Sequence, residues 1–303
     1  MADLRVNIAG VDFKNPVITA SGTFGFGQEY AKLYDISKLG GISCKGTTLE
    51  PRMGNPSPRI AETPSGILNS VGLQNPGVDG FLQHDLPLLE NTDIVVIANI
   101  AGSQVEDYVE TVRRLQGAPI DMIEMNISCP NVKEGGVSFG TLQQSVENIT
   151  KQVKAVAEQP LIVKLTPNVT DIAEIAAAAE AGGADAVSLI NTLTGMKIDI
   201  ESRRPLLKNN TGGMSGAAVF PVALRMVWQA ANRVHIPVIG LGGITKWQDA
   251  VEMLLAGATA VQIGTANFTD AFTPLKVIEG LNAYLDAHGE KSVTDIVGKV
   301  QPW

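Results

Sequence analysis

Cys129 stands in Asn126-Ile127-Ser128-Cys129-Pro130-Asn131, with Gly135 and Gly136 close behind it. A lone cysteine usually packs as a small hydrophobe. Here a proline follows at once, the neighbours are polar and two glycines supply a hinge, so the pattern favours an exposed thiol at the start of a loop. As a thiolate such a group can take a proton or attack an electrophile. Lys45 in SCKGTT and Lys164 in IVKLTP each interrupt an apolar run. An inward lysine is costly to bury alone, so each implies a core ion pair or an anionic ligand. For Lys164 a Schiff base, as in aldolases, is a third chemistry. Ser21, Asn99, Asn126, Asn191 and Thr192 also close apolar runs, as do the pairs Gly242-Gly243 and Gly264-Thr265. The set is rich in amides and poor in acids. It holds no carboxylate pair for glycoside chemistry, and His84, His235 and His288 fall on helices or connections. Amides beside lysines suit a planar heterocycle whose edge carries both donors and acceptors, such as a flavin or a pyrimidine.

These residues need elements to position them. Short β-branched runs alternate with longer amphipathic ones, the signature of βα units on a parallel sheet. The runs predict strands over Pro16 to Ser21, Gly41 to Thr48, Asp93 to Gly102, Asp121 to Ser128, Pro160 to Thr166, Asp185 to Thr192, Ile236 to Gly243 and Ala260 to Ala266. Helices are predicted over Gln104 to Leu115, Thr141 to Val156, Asp171 to Ala181, Pro221 to Arg233, Trp247 to Ala256 and Phe272 to Ala287. Eight strands with helical returns spell an α/β chain of the (β/α)8 TIM barrel class. An open doubly wound sheet would want GxGxxG after its first strand, and SGTFGFGQEY does not supply it. Leu4 to Ile8 and Val11 to Phe13 flank Ala9-Gly10, an N-terminal hairpin to close the barrel's bottom. No linker divides the chain, so residues 1–303 read as one catalytic barrel domain.

The predicted barrel mouth gathers the chemistry. Three long and irregular connections follow even-numbered strands, Leu49 to Val78 with its five prolines, Cys129 to Gly140, and Leu193 to Gly216. Loops of this length tend to be functional, and βα loops emerge at the C-terminal mouth. The glycine pairs after strands seven and eight lie where such barrels often hold phosphate, since glycine lets backbone N–H groups approach an anion. Gly212, Gly213 and Gly216 in TGGMSG offer a further backbone contact. Cys44, one residue before Lys45, points the other way along its strand and is assigned a structural role.

Composition removes competing classes. Lys plus Arg number 23 against 31 Asp plus Glu, a net charge of −8, which is the wrong sign for a nucleic-acid binder. Two cysteines outside any CxxC pair provide neither a disulfide framework nor the four thiolates of an iron-sulfur cluster. The start MADLRVNIAGVDFKNP lacks a basic stretch leading into an apolar one, and no run approaches the roughly 18 apolar residues of a membrane span. A cytoplasmic chain with no membrane contact and no metal site is expected.

Over nearly the whole length the motifs resemble one family. NSVGLQNPG at Asn69 to Gly77, NISCPN at Asn126 to Asn131, VKLTPN at Val163 to Asn168, INT at Ile190 to Thr192, GLGGI at Gly240 to Ile244 and IGTAN at Ile263 to Asn267 are similar to those of the class I dihydroorotate dehydrogenases. They also occur in that family's order. TFGFGQEY and LNSVGLQNPG look like the subtype B catalytic subunit more than the fumarate-using subtype A. Cys129 and the short start separate the chain from the class II enzymes, which use a serine base and an N-terminal extension.

The resemblance implies an FMN flavoprotein of pyrimidine (UMP) biosynthesis that oxidises dihydroorotate to orotate. Cys129 would remove the C5 proton while a hydride leaves C6 for the flavin. It implies that Lys45, Asn69, Ser70, Val71, Gly72, Leu73, Asn126, Asn131, Asn191 and Thr192 bind substrate. Ala20, Ser21, Lys45, Gly46, Asn99, Asn126, Lys164, Ile190, Gly216, Gly242, Gly243, Gly264 and Thr265 would hold FMN. Electrons would pass to NAD through a partner subunit carrying FAD and a 2Fe-2S cluster, around a homodimer within a heterotetramer. Two alternatives stand beside it. One is a flavin barrel acting on another dihydropyrimidine, and the other is a Schiff-base aldolase built on Lys164.

Overall fold

The computed structural model describes residues 2–90, 92–128, 133–134 and 137–303 of the 303-residue chain. Its centre is a closed parallel barrel of eight strands. Numbered as barrel strands they are β1 (Val17–Thr19), β2 (Gly41–Ser43), β3 (Val95–Ile100) and β4 (Met122–Asn126). They continue as β5 (Leu161–Lys164), β6 (Ala186–Leu189), β7 (Val238–Leu241) and β8 (Ala260–Ile263). Every strand pairs with its sequence neighbours, and Val261 opposite Val17 closes β8 onto β1. All eight expected strands and all six expected helices are present; each strand is shorter than its sequence pattern, mostly because the pattern runs on into the loops at the mouth, and the helices start and end within two residues of expectation.

The strands read as near-continuous Val, Ile, Leu and Met runs because a parallel sheet under a ring of helices is buried on both faces. The helices Val105–Leu115, Gln143–Lys154, Ile172–Ala181, Phe220–Ala231, Trp247–Leu255 and Thr273–His288 form that ring. Some of their starts are fixed by side-chain caps. Asp171, for instance, accepts from the backbone N–H groups of Ala173 and Glu174. At the floor, Val6–Ile8 pairs with Val11–Phe13, and the fully buried Phe13 ring lies under Gly41 at the entry to β2. The hairpin therefore closes the bottom, as its pattern suggests.

At the opposite end the first and third long connections are not irregular. Ile60–Thr63, Gly66–Asn69, Gly212–Ser215 and Leu193–Gly195 make one four-stranded antiparallel sheet above the mouth. Gly213 pairs with Asn69 across it, and a Cβ there would strike Thr192 Oγ1 at 2.0 Å. Only glycine lets this cap sit so close to the end of β6. No described helix is long and apolar enough to cross a membrane.

Candidate active site

Between the mouth and the cap lie two adjoining cavities. The inner one is walled by the ends of the strands, with Ser21, Lys45, Asn99, Asn126, Lys164 and Asn191 among its lining. Ala20, Gly46, Asn69, Val71, Gly72, Leu73, Ile190, Thr192, Gly242, Gly243, Gly264 and Thr265 also line it. Ser70 opens onto the outer cavity instead, which runs past Ser128, Thr166 and Asn168 to Asn209 and Thr211. Val71, Gly72 and Leu73 belong to both, and Gly72 and Leu73 are held at φ of 77° and 54°. Left-handed backbone at a leucine is a local strain of the sort found at binding loops. Gly216 lines neither cavity. Its Cα packs against Ser65 and Gly66, where a Cβ would come within 2.5 Å of Gly66 Cα. The expected base Cys129 and the expected ligand Asn131 lie outside the described residues.

The floor of the inner cavity is set by a layer of four side chains, Ser43, Glu124, Ser188 and Gln262, one from each even strand. Barrel interiors are built from such four-residue layers, ordinarily apolar ones. Here all four members are fully buried and polar. Glu124 accepts from Ser43 Oγ at 2.7 Å, Ser188 Oγ at 2.7 Å and Gln262 Nε2 at 2.8 Å. From the odd strands, Asn99 Nδ2 donates to it at 2.6 Å and Lys164 Nζ lies 3.7 Å away. Burial alone would push this carboxyl's pKa up. The Lys164 ammonium and the donated hydrogen bonds more than offset that, leaving it below the ordinary carboxylate range. Lys164 is therefore both paired and exposed to the cavity, not one or the other.

Two acceptors are left over on this floor. Asn99 Oδ1 and Gln262 Oε1 are buried without a hydrogen-bond partner, because each amide spends its N–H group on Glu124. Lys45, half-buried, forms no ion pair among the described residues. Burial, and then Arg59 nearby, lowers its pKa. An ammonium in that position calls for an anion. At the far end Gly242 and Gly243 adopt φ of 120° and 79°, and a Cβ on Gly243 would meet the Phe220 backbone N at 2.7 Å. Thr265 Oγ1 donates to Ser215 Oγ at 2.8 Å, tying β8 to the cap.

The amides at the junction of the cavities orient one another. Asn126 Oδ1 accepts from Asn191 Nδ2 and from the Ser128 backbone N–H, both at 3.1 Å, which turns its own N–H2 away as a donor. Asn191 Oδ1 accepts from the Thr192 N–H at 2.8 Å. Asn168 links Thr166 Oγ1 and the Thr192 carbonyl, both at 3.0 Å. Cys44 is buried in the core with its thiol pushed far up by desolvation, as a structural cysteine should be.

Glu124 and Gln262 are the residues that sequence reasoning missed. Their signal was present: MIEMN and AVQIGT each put a polar residue inside an apolar strand, the same argument that singles out Lys164.

Comparison with known proteins agrees with this arrangement. The family model described as dihydroorotate dehydrogenase matches residues 3–285. A Bacteroides fragilis protein named dihydroorotate dehydrogenase B (NAD(+)), catalytic subunit, is 59% identical over 99% of this chain and 100% of its own. Relatives of the same name from Alkaliphilus metalliredigens and Caldicellulosiruptor bescii are 58% and 55% identical, each over 98% of this chain and 99% of theirs.

Proposed function

The chain belongs to the dihydroorotate dehydrogenase family, and from that premise we propose that the inner cavity holds FMN, the outer one admits dihydroorotate, and Cys129 is the base. The chain is an oxidoreductase of pyrimidine biosynthesis that converts dihydroorotate to orotate. The observation that carries the assignment is the inner cavity's floor, where Lys164, Asn99 and Gln262 line one space and both amides keep a buried oxygen without a hydrogen-bond partner. A flavin's pyrimidine edge has an N–H for such acceptors and gathers negative charge on reduction, which suits Lys164. The glycine turns at Gly242-Gly243 and Gly264-Thr265 suit its phosphate.

When bound, FMN supplies the acceptor for the hydride that leaves C6 of the substrate. The chain's own residues do the rest. Lys45 meets the substrate carboxylate, and Asn69, Asn126, Asn191 and Thr192 hydrogen-bond its ring, with Asn131 from outside the described residues. The cap sheet excludes water, which strengthens each of these contacts. Cys129 takes the C5 proton as a thiolate; an ordinary thiol has a pKa of about 8.5, so turnover climbs with pH. An ammonium paired to Glu124 has no free lone pair for a carbonyl, which weighs against a Schiff base on Lys164.

Electrons leave for NAD through a partner subunit bearing FAD and a 2Fe-2S cluster, in keeping with the "NAD(+)" and "catalytic subunit" of the relatives' names. The chain works as one barrel domain, paired as a homodimer within a heterotetramer in the cytoplasm. The test is to release the cofactor from purified protein, compare it with FMN and FAD, and follow orotate formation with an artificial acceptor. FMN in equimolar amount with orotate formed is the expected result. A chain that stays colourless after reconstitution, and that borohydride links to a carbonyl substrate at Lys164, would overturn the reading.

A further inference from the structure

We infer that Glu124 is the positioning residue of the cofactor site: it fixes which way the Asn99 and Gln262 amides face and holds Lys164 beside them. The inference rests on the reading of the inner cavity as a flavin site. Glu124 itself does not line that cavity, so it acts through the three side chains that do.

The argument begins with cost. A buried carboxylate, even when paired, is seldom more stable than an apolar residue of its size. Most barrels fill this layer with branched apolar side chains. Here the layer instead spends two serines and Gln262 on one carboxylate, and Asn99 joins them from an odd strand. Stability does not require that. What the arrangement does provide is direction. An ionised carboxylate only accepts hydrogen bonds, so an amide touching it must offer N–H and turn its oxygen elsewhere. For Asn99 and Gln262 that leaves Oδ1 and Oε1 as fixed acceptors without a protein partner. With the charge-assisted contact to Lys164, the anion presents two acceptors and one cation in a set pattern. That pattern suits an imide edge whose single N–H is offered to these acceptors, while Lys164 meets the negative charge gathered on reduction. Gln262 thereby becomes a cofactor ligand alongside Asn99.

Glu124→Gln keeps the shape and removes the one-way character. Each Glu124 oxygen meets one serine hydroxyl and one amide N–H2, so whichever position the new N–H2 takes, the serine there can rotate to accept but the amide N–H2 of Asn99 or Gln262 is repelled; that amide turns and offers N–H to the flavin. The purified chain is stripped of FMN, and rebinding is followed by flavin fluorescence; the midpoint potential of bound flavin is then measured. For Glu124→Gln, FMN affinity is expected to fall at least tenfold. Loss of the negative charge behind Lys164 favours the reduced form about tenfold relative to the oxidised one. That is about 30 mV more positive for a two-electron couple.

A folded variant with wild-type affinity and potential would overturn the inference and leave the flavin reading standing. Wild-type chain that binds no FMN would overturn both. Should Glu124→Gln fail to fold, Gln262→Met carries the test, since it keeps the carboxylate with its serines and Lys164. A severalfold weaker FMN affinity supports the assignment, and unchanged affinity contradicts it.

Discussion

The two cavities share the wall Val71-Gly72-Leu73 and differ in how they hold a ligand. The inner one has two lysines in its lining and a buried carboxylate beneath, all carried on barrel strands or their first residues beyond. The outer one is lined by asparagines, serine, threonines, glycines and two apolar residues, with no charged side chain among its described lining, and is built mostly from loops and cap strands. Fixed charges on rigid strands give tight, oriented binding. Neutral hydrogen bonds on loops bind more weakly and release more easily. The division suits a cofactor that stays and a substrate that turns over, with Lys45 the inner charge that the substrate's carboxylate meets where the cavities join, and it is open to attack from either side.

The largest expected effect belongs to the proposed base. Cys129→Ala should keep its flavin yet lose on the order of 10²–10⁴-fold in turnover, the usual range for a general base. The rise of rate with pH should vanish with it. Rapid-mixing measurement of flavin reduction checks both, and a near wild-type rate would remove Cys129 from the mechanism.

Next comes the inner charge. Lys164→Ala leaves Glu124 buried without its cation, and breaking such a pair costs about 3–5 kcal/mol. Chemical unfolding should show that loss, with FMN binding weakened in the same variant. Unchanged values for both would mean that the inner cavity's charge does not hold the flavin.

Acid should expose the same anion more gently. Because the folded pKa of Glu124 is depressed, its contribution to stability is fully present above its unfolded value near 4.5. That contribution is lost as pH falls through the lower folded value. Unfolding free energies measured from pH 6 down to 3 should fall less steeply in Glu124→Gln than in the wild type. Identical slopes would mean the carboxyl is not held ionised.

The smallest effect belongs to the outer cavity. Asn168→Ala loses the links to Thr166 and Thr192 and the acceptor for the Thr194 N–H. It should raise the KM for dihydroorotate severalfold while leaving kcat and FMN affinity in place. A large fall in kcat with bound flavin lost would erase the distinction between the cavities.

How far the sequence reaches follows the same division. The barrel was legible because burial on both faces writes each strand as an apolar run and each helix as an amphipathic one. The strand-end residues were legible because polar side chains closing such runs have few places to go. Glu124 was less legible because it sits inside its run, two positions before the strand-end Asn126, where an apolar side chain is the rule. The cap was not legible because its strands are only three or four residues long and three of the four carry glycine, too brief for alternation to stand out. Its pairing of Gly213 with Asn69 joins segments 144 residues apart, a contact no local pattern encodes.

The most direct measurement is the visible spectrum of the purified chain under anaerobic conditions, before and after dihydroorotate is added. The expected result is a yellow protein whose flavin band bleaches as orotate forms, which joins cofactor, substrate and half-reaction in one observation. A flavin band that dihydroorotate leaves untouched, while another dihydropyrimidine bleaches it, would contradict the account.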